Sequence, residues 1–189
     1  MKLHSNKYQT RKLQVSEVLL LLLLTFFMLS SCNKDDNNCQ GIECLPPATQ
    51  TGAGTFGCLV NGVPYVDNSG FFNCFYQLVD GEYYFNISPN FSNKIFRELD
   101  LGCNGVNFAE MSSFNLEISN DGSGSATFSV TNELRDISTN LNYNGICQIT
   151  YFNDATNVIS GTFEFEVFDE VTQTLYVITE GRFDTFFTQ

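Results

Sequence analysis

From residue 55 onward the chain is a succession of short apolar runs broken by turn residues. Apolar positions recur with period two in Phe114/Leu116/Ile118, in Phe128/Val130 and in Phe163/Phe165/Val167, with Glu164 and Glu166 on the opposite face of the last. That spacing belongs to strands with one side on a core and one in water. Two pairs of runs read as hairpins. Residues 56–60 and 63–66 flank Asn61-Gly62, and residues 71–79 and 82–88 flank Asp80-Gly81. Both dipeptides suit a type I′ turn, which needs positive φ at two successive residues. Pro64 cannot donate to a ladder, so its strand belongs at an edge, or begins there. Further strands are expected over 95–101, 114–119, 126–131, 146–153, 158–168 and 175–178, the last continuing towards Phe187. No helical period shows, and 132–140 reads as a loop. About ten strands joined by short turns predict one all-β domain over residues 53–189, a single antiparallel β-sandwich; a lipocalin-like or flattened β-barrel is the alternative.

The N-terminal pattern is different. Residues 18–29 are a run of 12 apolar or near-apolar residues, preceded by Lys2, Lys7, Arg11 and Lys12 and followed by Ser30, Ser31 and Cys32. A bilayer-spanning helix needs about 20 residues. The order basic, apolar, small is that of a secretory signal, here 1–31. The stretch Leu29-Ser30-Ser31-Cys32 resembles the lipobox of bacterial lipoproteins. That resemblance implies cleavage before Cys32, acylation of this cysteine, and a membrane as partner through the lipid anchor. Directly after it, Asn33-Lys34-Asp35-Asp36 resembles the surface-export signal of Bacteroidetes lipoproteins. Lys34, Asp35 and Asp36 would then direct the protein to the outer face of the outer membrane; a periplasm-facing anchor is the alternative. Residues 33–50 are polar and contain Pro46-Pro47, so 32–52 is expected to be a lipidated flexible tether.

Charge and cysteine content sharpen this picture. Loss of the signal leaves 158 of 189 residues and removes four of the nine basic residues but one of the 21 acidic ones, which takes the net charge from −12 to −15. Such a surface repels nucleic acid. The single histidine, His4, leaves with the signal, and the chain has no tryptophan. Beyond Cys32 six cysteines remain: Cys39, Cys44, Cys58, Cys74, Cys103 and Cys147. An even number in an exported chain predicts three disulfides. Cys39 and Cys44 enclose four residues and are expected to close a small loop. Strand parity puts Cys58, Cys74, Cys103 and Cys147 on the core side, where they read as further staples, their pairing left open. No CxxC pair and no histidine are present to build a zinc set, and neither a metal nor a cofactor is expected.

Candidate chemistry is sparse. A nucleophilic triad needs a base, usually histidine, and none survives processing. Glu164 and Glu166 share a strand face about 7 Å apart, and two carboxylates are what glycoside hydrolysis requires. A wet strand face is the blander account. Residues 120–125 (NDGSGS) look like a loop but lack alternating acids at calcium-loop spacing. Tyr83, Tyr84 and Tyr143 could offer platforms for sugar stacking. Finally, Thr55–Val60 with the following Asn61-Gly62-Val63, the run Ile159-Ser160-Gly161-Thr162-Phe163-Glu164-Phe165, and Ile178-Thr179-Glu180-Gly181-Arg182-Phe183-Asp184 are similar to an uncharacterised family of Bacteroidetes lipoproteins. These motifs imply architecture, with Gly161 and Gly181 at bends and alternating Phe packed inward; the family brings no catalytic residues. The expected function is a lipid-anchored, non-enzymatic binding or structural β-domain. The alternatives are a barrel carrying a small apolar ligand and a carboxylate-dependent glycosidase.

Overall fold

The computed structural model describes residues 39–67, 69, 72–89, 96–109, 112–118, 122–130 and 135–189. The signal, Cys32, Lys34, Asp35 and Asp36 lie outside the described residues, as do Asn120 and Asp121. Residues Gln40–Gln189 form one compact unit.

Among the described residues eleven strands make that unit: β1 (Thr55–Val60), β2 (Val63–Asp67), β3 (Asn73–Val79), β4 (Glu82–Ser88), β5 (Phe96–Asn104), β6 (Ser113–Leu116), β7 (Gly124–Val130), β8 (Arg135–Ser138), β9 (Gly145–Asn153), β10 (Val158–Asp169) and β11 (Thr174–Phe186). The ten expected runs are all strands. The stretch read as a loop holds an eleventh, β8, whose partner is β7. Both hairpin turns form as the dipeptides predict, with φ of 49° and 80° at Asn61 and Gly62 and 50° and 91° at Asp80 and Gly81.

All strands belong to one sheet in the order β2-β1-β11-β10-β9-β6-β7-β5-β4-β3, with β8 beside β7. Of the two expected layouts this is nearer the flattened barrel, because one sheet curls on itself into a half-barrel. Part of its free edge is also closed. Just past β11, Thr188 bridges to Phe75 of β3 in parallel; the Tyr76 amide donates to the Thr188 carbonyl at 2.9 Å and the Thr188 amide to the Cys74 carbonyl at 3.0 Å. The chain just past β11 thereby pairs with the edge strand β3, which satisfies edge groups that would otherwise face water.

The enclosed face is aromatic. Phe56, Phe85, Phe114, Phe128, Phe163 and Phe183 are all buried. Alternation holds along β10, where Phe163, Phe165 and Val167 are inside and Glu164 and Glu166 outside. Gly181 and Gly161 give these rings their room. A Cβ on Gly181 would lie 2.4 Å from the Phe163 carbonyl oxygen and 2.5 Å from its ring, and one on Gly161 would lie 2.5 Å from the Phe183 ring. Beside Gly181, Glu180 takes φ of 55°, and the pairing of β10 with β11 slips one residue between Phe163 and Phe165. That bulge turns the long hairpin so that the sheet can curl.

Part of the stretch expected as a tether, 32–52, is docked on the domain. Residues 41–44 form a 3-10 turn, and Leu45 and Pro46 are buried. Next, Asp184 of β11 fastens the chain to the sheet. Its buried carboxylate accepts hydrogen bonds from Thr49 Oγ1 (2.6 Å), Gly52 N (2.8 Å), Thr51 N (3.0 Å) and Ala53 N (3.2 Å), and from Ser160 Oγ (2.8 Å). Polar composition suggested a solvated linker, but the donors of 49–53 satisfy a buried charge instead.

Candidate functional site

The four-residue turns of the long strands are built alike. Asn153 Oδ1 accepts from the amides of Ala155 and Thr156, and Asp169 Oδ1 from those of Val171 and Thr172. Asn157 and Gln173, both at φ 55°, close them. Their ends of the sheet differ in kind. At the Asp169 end the buried carboxylate takes a bidentate pair from Arg135 of β8, at 2.8 and 2.9 Å. The Arg135 guanidinium holds this carboxyl well below the usual range, helped by the Thr172 and Val171 hydrogen bonds against the opposing effect of burial. That end is tied shut, with β8 braced against the β10–β11 turn.

The other end is open. A cleft of about 560 Å³ lies among Tyr76 and residues 77–79 of β3, Tyr83 of β4, Asn107 and Ala109 after β5, Phe152 of β9, Asp154 of the next turn, and Gln189. Its floor is a stack of rings. Tyr76 lies 5.0 Å from Tyr83 at an interplanar angle of 5°, and 4.7 Å from Phe108 at 18°. Burial deepens from the half-exposed Tyr83 to the buried Tyr76 and Phe108. Phe108 plugs the interior below, packing against Phe85, Phe114 and Phe152.

One hydroxyl holds that plug. Tyr76 Oη donates to the Val106 carbonyl at 3.2 Å and accepts from the Phe108 amide at 3.0 Å. Burial pushes the Tyr76 phenol up to about 12, with the Phe108 hydrogen bond pulling the other way, so it stays a donor at neutral pH. On the rim, Gln189 Nε2 donates to Asp154 Oδ1 at 2.5 Å. The exposed Leu78 and Val79 form the outer lip. The arrangement thus offers a ring face and apolar edges beside amide and carboxylate groups, with no nucleophile paired to a base among the described residues.

Of the residues singled out in the sequence, Tyr83 alone lines this cleft. Tyr84 donates its hydroxyl to Glu82 at 3.0 Å, and Tyr143 stacks on Phe168 at 5.1 Å. Glu164 and Glu166 are exposed on the outer face of β10 and line a second open groove of about 580 Å³ with Asn142 and Asn144. They stand side by side on one strand, not across a gap from each other. Tyr76, Asn107, Phe152 and Asp154 carry no sequence signal as a group, being scattered over four segments that only the curl of the sheet unites.

The cysteine expectation needs correction. Cys39 and Cys44 are disulfide-bonded as expected. Cys58, Cys74, Cys103 and Cys147 are on the core side, also as expected, but all four are free thiols. Register is the reason. Cys58 faces Tyr65, Cys74 faces Ile87, Cys103 lies between Phe85 and Gly124, and Cys147 between Phe114 and Phe163. Among the described strand pairings none sets two cysteines opposite each other, and all four side chains fill space in the core. Burial pushes each thiol's pKa far up, which leaves them without the thiolate that reacts.

Comparison with known proteins adds no relative: no family model, no curated protein and no solved structure matches the chain, and the resemblances above rest on the quoted residues alone.

Proposed function

We propose that the protein is an exported lipoprotein, acylated at Cys32 and displayed on the outer membrane through Lys34, Asp35 and Asp36, whose β-domain is a non-enzymatic binding module using the open-end cleft. The observation that carries the binding reading is the cleft itself. It is concave, of a size typical of small-molecule sites, and floored by a half-exposed tyrosine on a rigid ring stack. A carrier of apolar ligands inside the barrel has less support, because phenylalanine rings occupy the positions that such a ligand would need. A glycosidase has less support too, since Glu164 and Glu166 are neighbours on a wet face.

The test is a small-molecule thermal-shift screen on the full chain and on Leu78→Glu, which sets a charge on the exposed lip and leaves the core intact. Compounds that raise the melting temperature of the parent and not of the variant are the expected result. A screen whose hits all act equally on both proteins, or one without hits, would count against the cleft as the working surface.

A further inference from the structure

The chemistry of the cleft points to its ligand: the geometry points to a neutral oligosaccharide, seated with a sugar ring on Tyr83. This rests on the reading of the cleft as a binding site and goes further by naming what it binds. A sugar ring has an apolar C–H face and a rim of hydroxyls, so it asks for an aromatic plane with planar hydrogen-bonding groups around it. Tyr83 supplies the plane. Its ring is half-exposed and backed by Tyr76 at 5.0 Å, so it is already oriented and loses little freedom on binding. Phe152 supplies a second apolar wall. Around them stand the amides of Gln77 and Asn107 and, held together at 2.5 Å, Gln189 and Asp154. Amide and carboxylate groups can each engage two neighbouring hydroxyls, as donor and acceptor or as double acceptor.

Charge narrows the class. Among the described residues, the lining contains no Lys, Arg or His, and Asp154 brings a carboxylate to it. The whole chain is strongly acidic, and the described cations Arg135 and Arg182 are engaged by Asp169 and Glu180 on other parts of the sheet. Phosphorylated ligands and uronate chains would therefore meet repulsion with no cation among the described lining residues to offset it. A purely apolar ligand would bury the rim amides without hydrogen-bond partners, which is costly. A neutral saccharide avoids both penalties. The cleft is also open to solvent at its lip, so a longer glycan could run past it.

Saturation-transfer NMR on the full chain, in a detergent without a sugar headgroup, provides the test. The probes are neutral trisaccharides of α-1,4- and β-1,4-linked glucose, of xylose, of mannose and of N-acetylglucosamine, with trigalacturonate as the anionic counterpart and cyclohexanol as a ring of similar size lacking the other hydroxyls. At least one neutral trisaccharide is expected to bind while trigalacturonate does not. Tyr83→Ala should weaken that binding at least tenfold, Asn107→Ala should weaken it less, and Tyr83→Phe, which keeps the ring, should retain it. Tyr143→Ala, remote from the cleft, should bind as the parent does. Saccharide binding that survives Tyr83→Ala in a folded protein would overturn the site assigned here. Cyclohexanol binding that depends on Tyr83, with no trisaccharide bound, would overturn the ligand class while leaving the binding-module reading intact. Silence from every probe, together with a screen in which Leu78→Glu changes nothing, would overturn both.

Discussion

Asp184 illustrates how much one side chain organises here. It is buried, yet surrounded by donors from two separate stretches, 49–53 and Ser160. Burial alone would raise its pKa; the hydrogen bonds from Thr49, Thr51, Gly52 and Ser160 outweigh that and hold it down to about 2. An unfolded aspartate titrates near about 3.9. Because the folded value is the lower one, the stabilisation is complete above about pH 4 and is lost as pH falls through about 2, amounting to about 2–3 kcal/mol at neutral pH. Asp184→Asn should therefore lower stability by about that much at pH 7 in urea unfolding. The gap between parent and variant should close as the pH is taken from 4 to 2. A gap that stays constant down to pH 2 would mean that the charge of Asp184 contributes nothing.

The strands act through register, and the cysteines show it. Period-two parity predicted their facing correctly, since facing depends only on position within a strand. Pairing depends on which strand lies alongside and at what offset, and there the expectation of two further disulfides fails. In β9 the neighbours of Cys147 are Phe114 and Phe163, and a small sulfur side chain beside two rings is a packing residue. An oxidising compartment does not bond thiols that no oxidant reaches. Alkylation of the native protein without reductant should accordingly label none of Cys58, Cys74, Cys103 and Cys147, and unfolding should expose all four. Cys39 and Cys44 should stay unlabelled until a reductant is added. Intact mass reads the count; native protein that shows no new thiols on unfolding would restore the three-disulfide expectation.

For the molecule as a whole, the domain proper begins well before β1, because 41–53 is docked on the sheet. Cys32, Lys34, Asp35 and Asp36 precede it in the sequence. A single acyl chain anchors only marginally, and stable attachment takes more than one; the lipoprotein resemblance implies several on Cys32. Cys32→Ala should yield protein that is unprocessed or soluble and takes up no labelled palmitate. Replacing Lys34, Asp35 and Asp36 by Ala should leave acylation and folding unchanged but remove the domain from the reach of protease added to whole cells. Equal shaving of the parent and the triple variant would reduce those three residues to a plain linker.

The sequence by itself determined what is local. Period-two runs, the Asn61-Gly62 and Asp80-Gly81 turns and the inward parity of the cysteines depend on neighbours in the chain, and each appears in the structure where it was expected. Arg135–Ser138 escaped notice because a four-residue edge strand gains its ladder from β7 and its hold from Asp169, neither visible in its own short pattern. The single curled sheet, its closure by Thr188 on Phe75, the docking of 49–53 on Asp184 and the assembly of the cleft were decided only in three dimensions. The reason is physical: these features join residues as much as 135 positions apart, through hydrogen bonds and ring contacts whose partners no local pattern specifies.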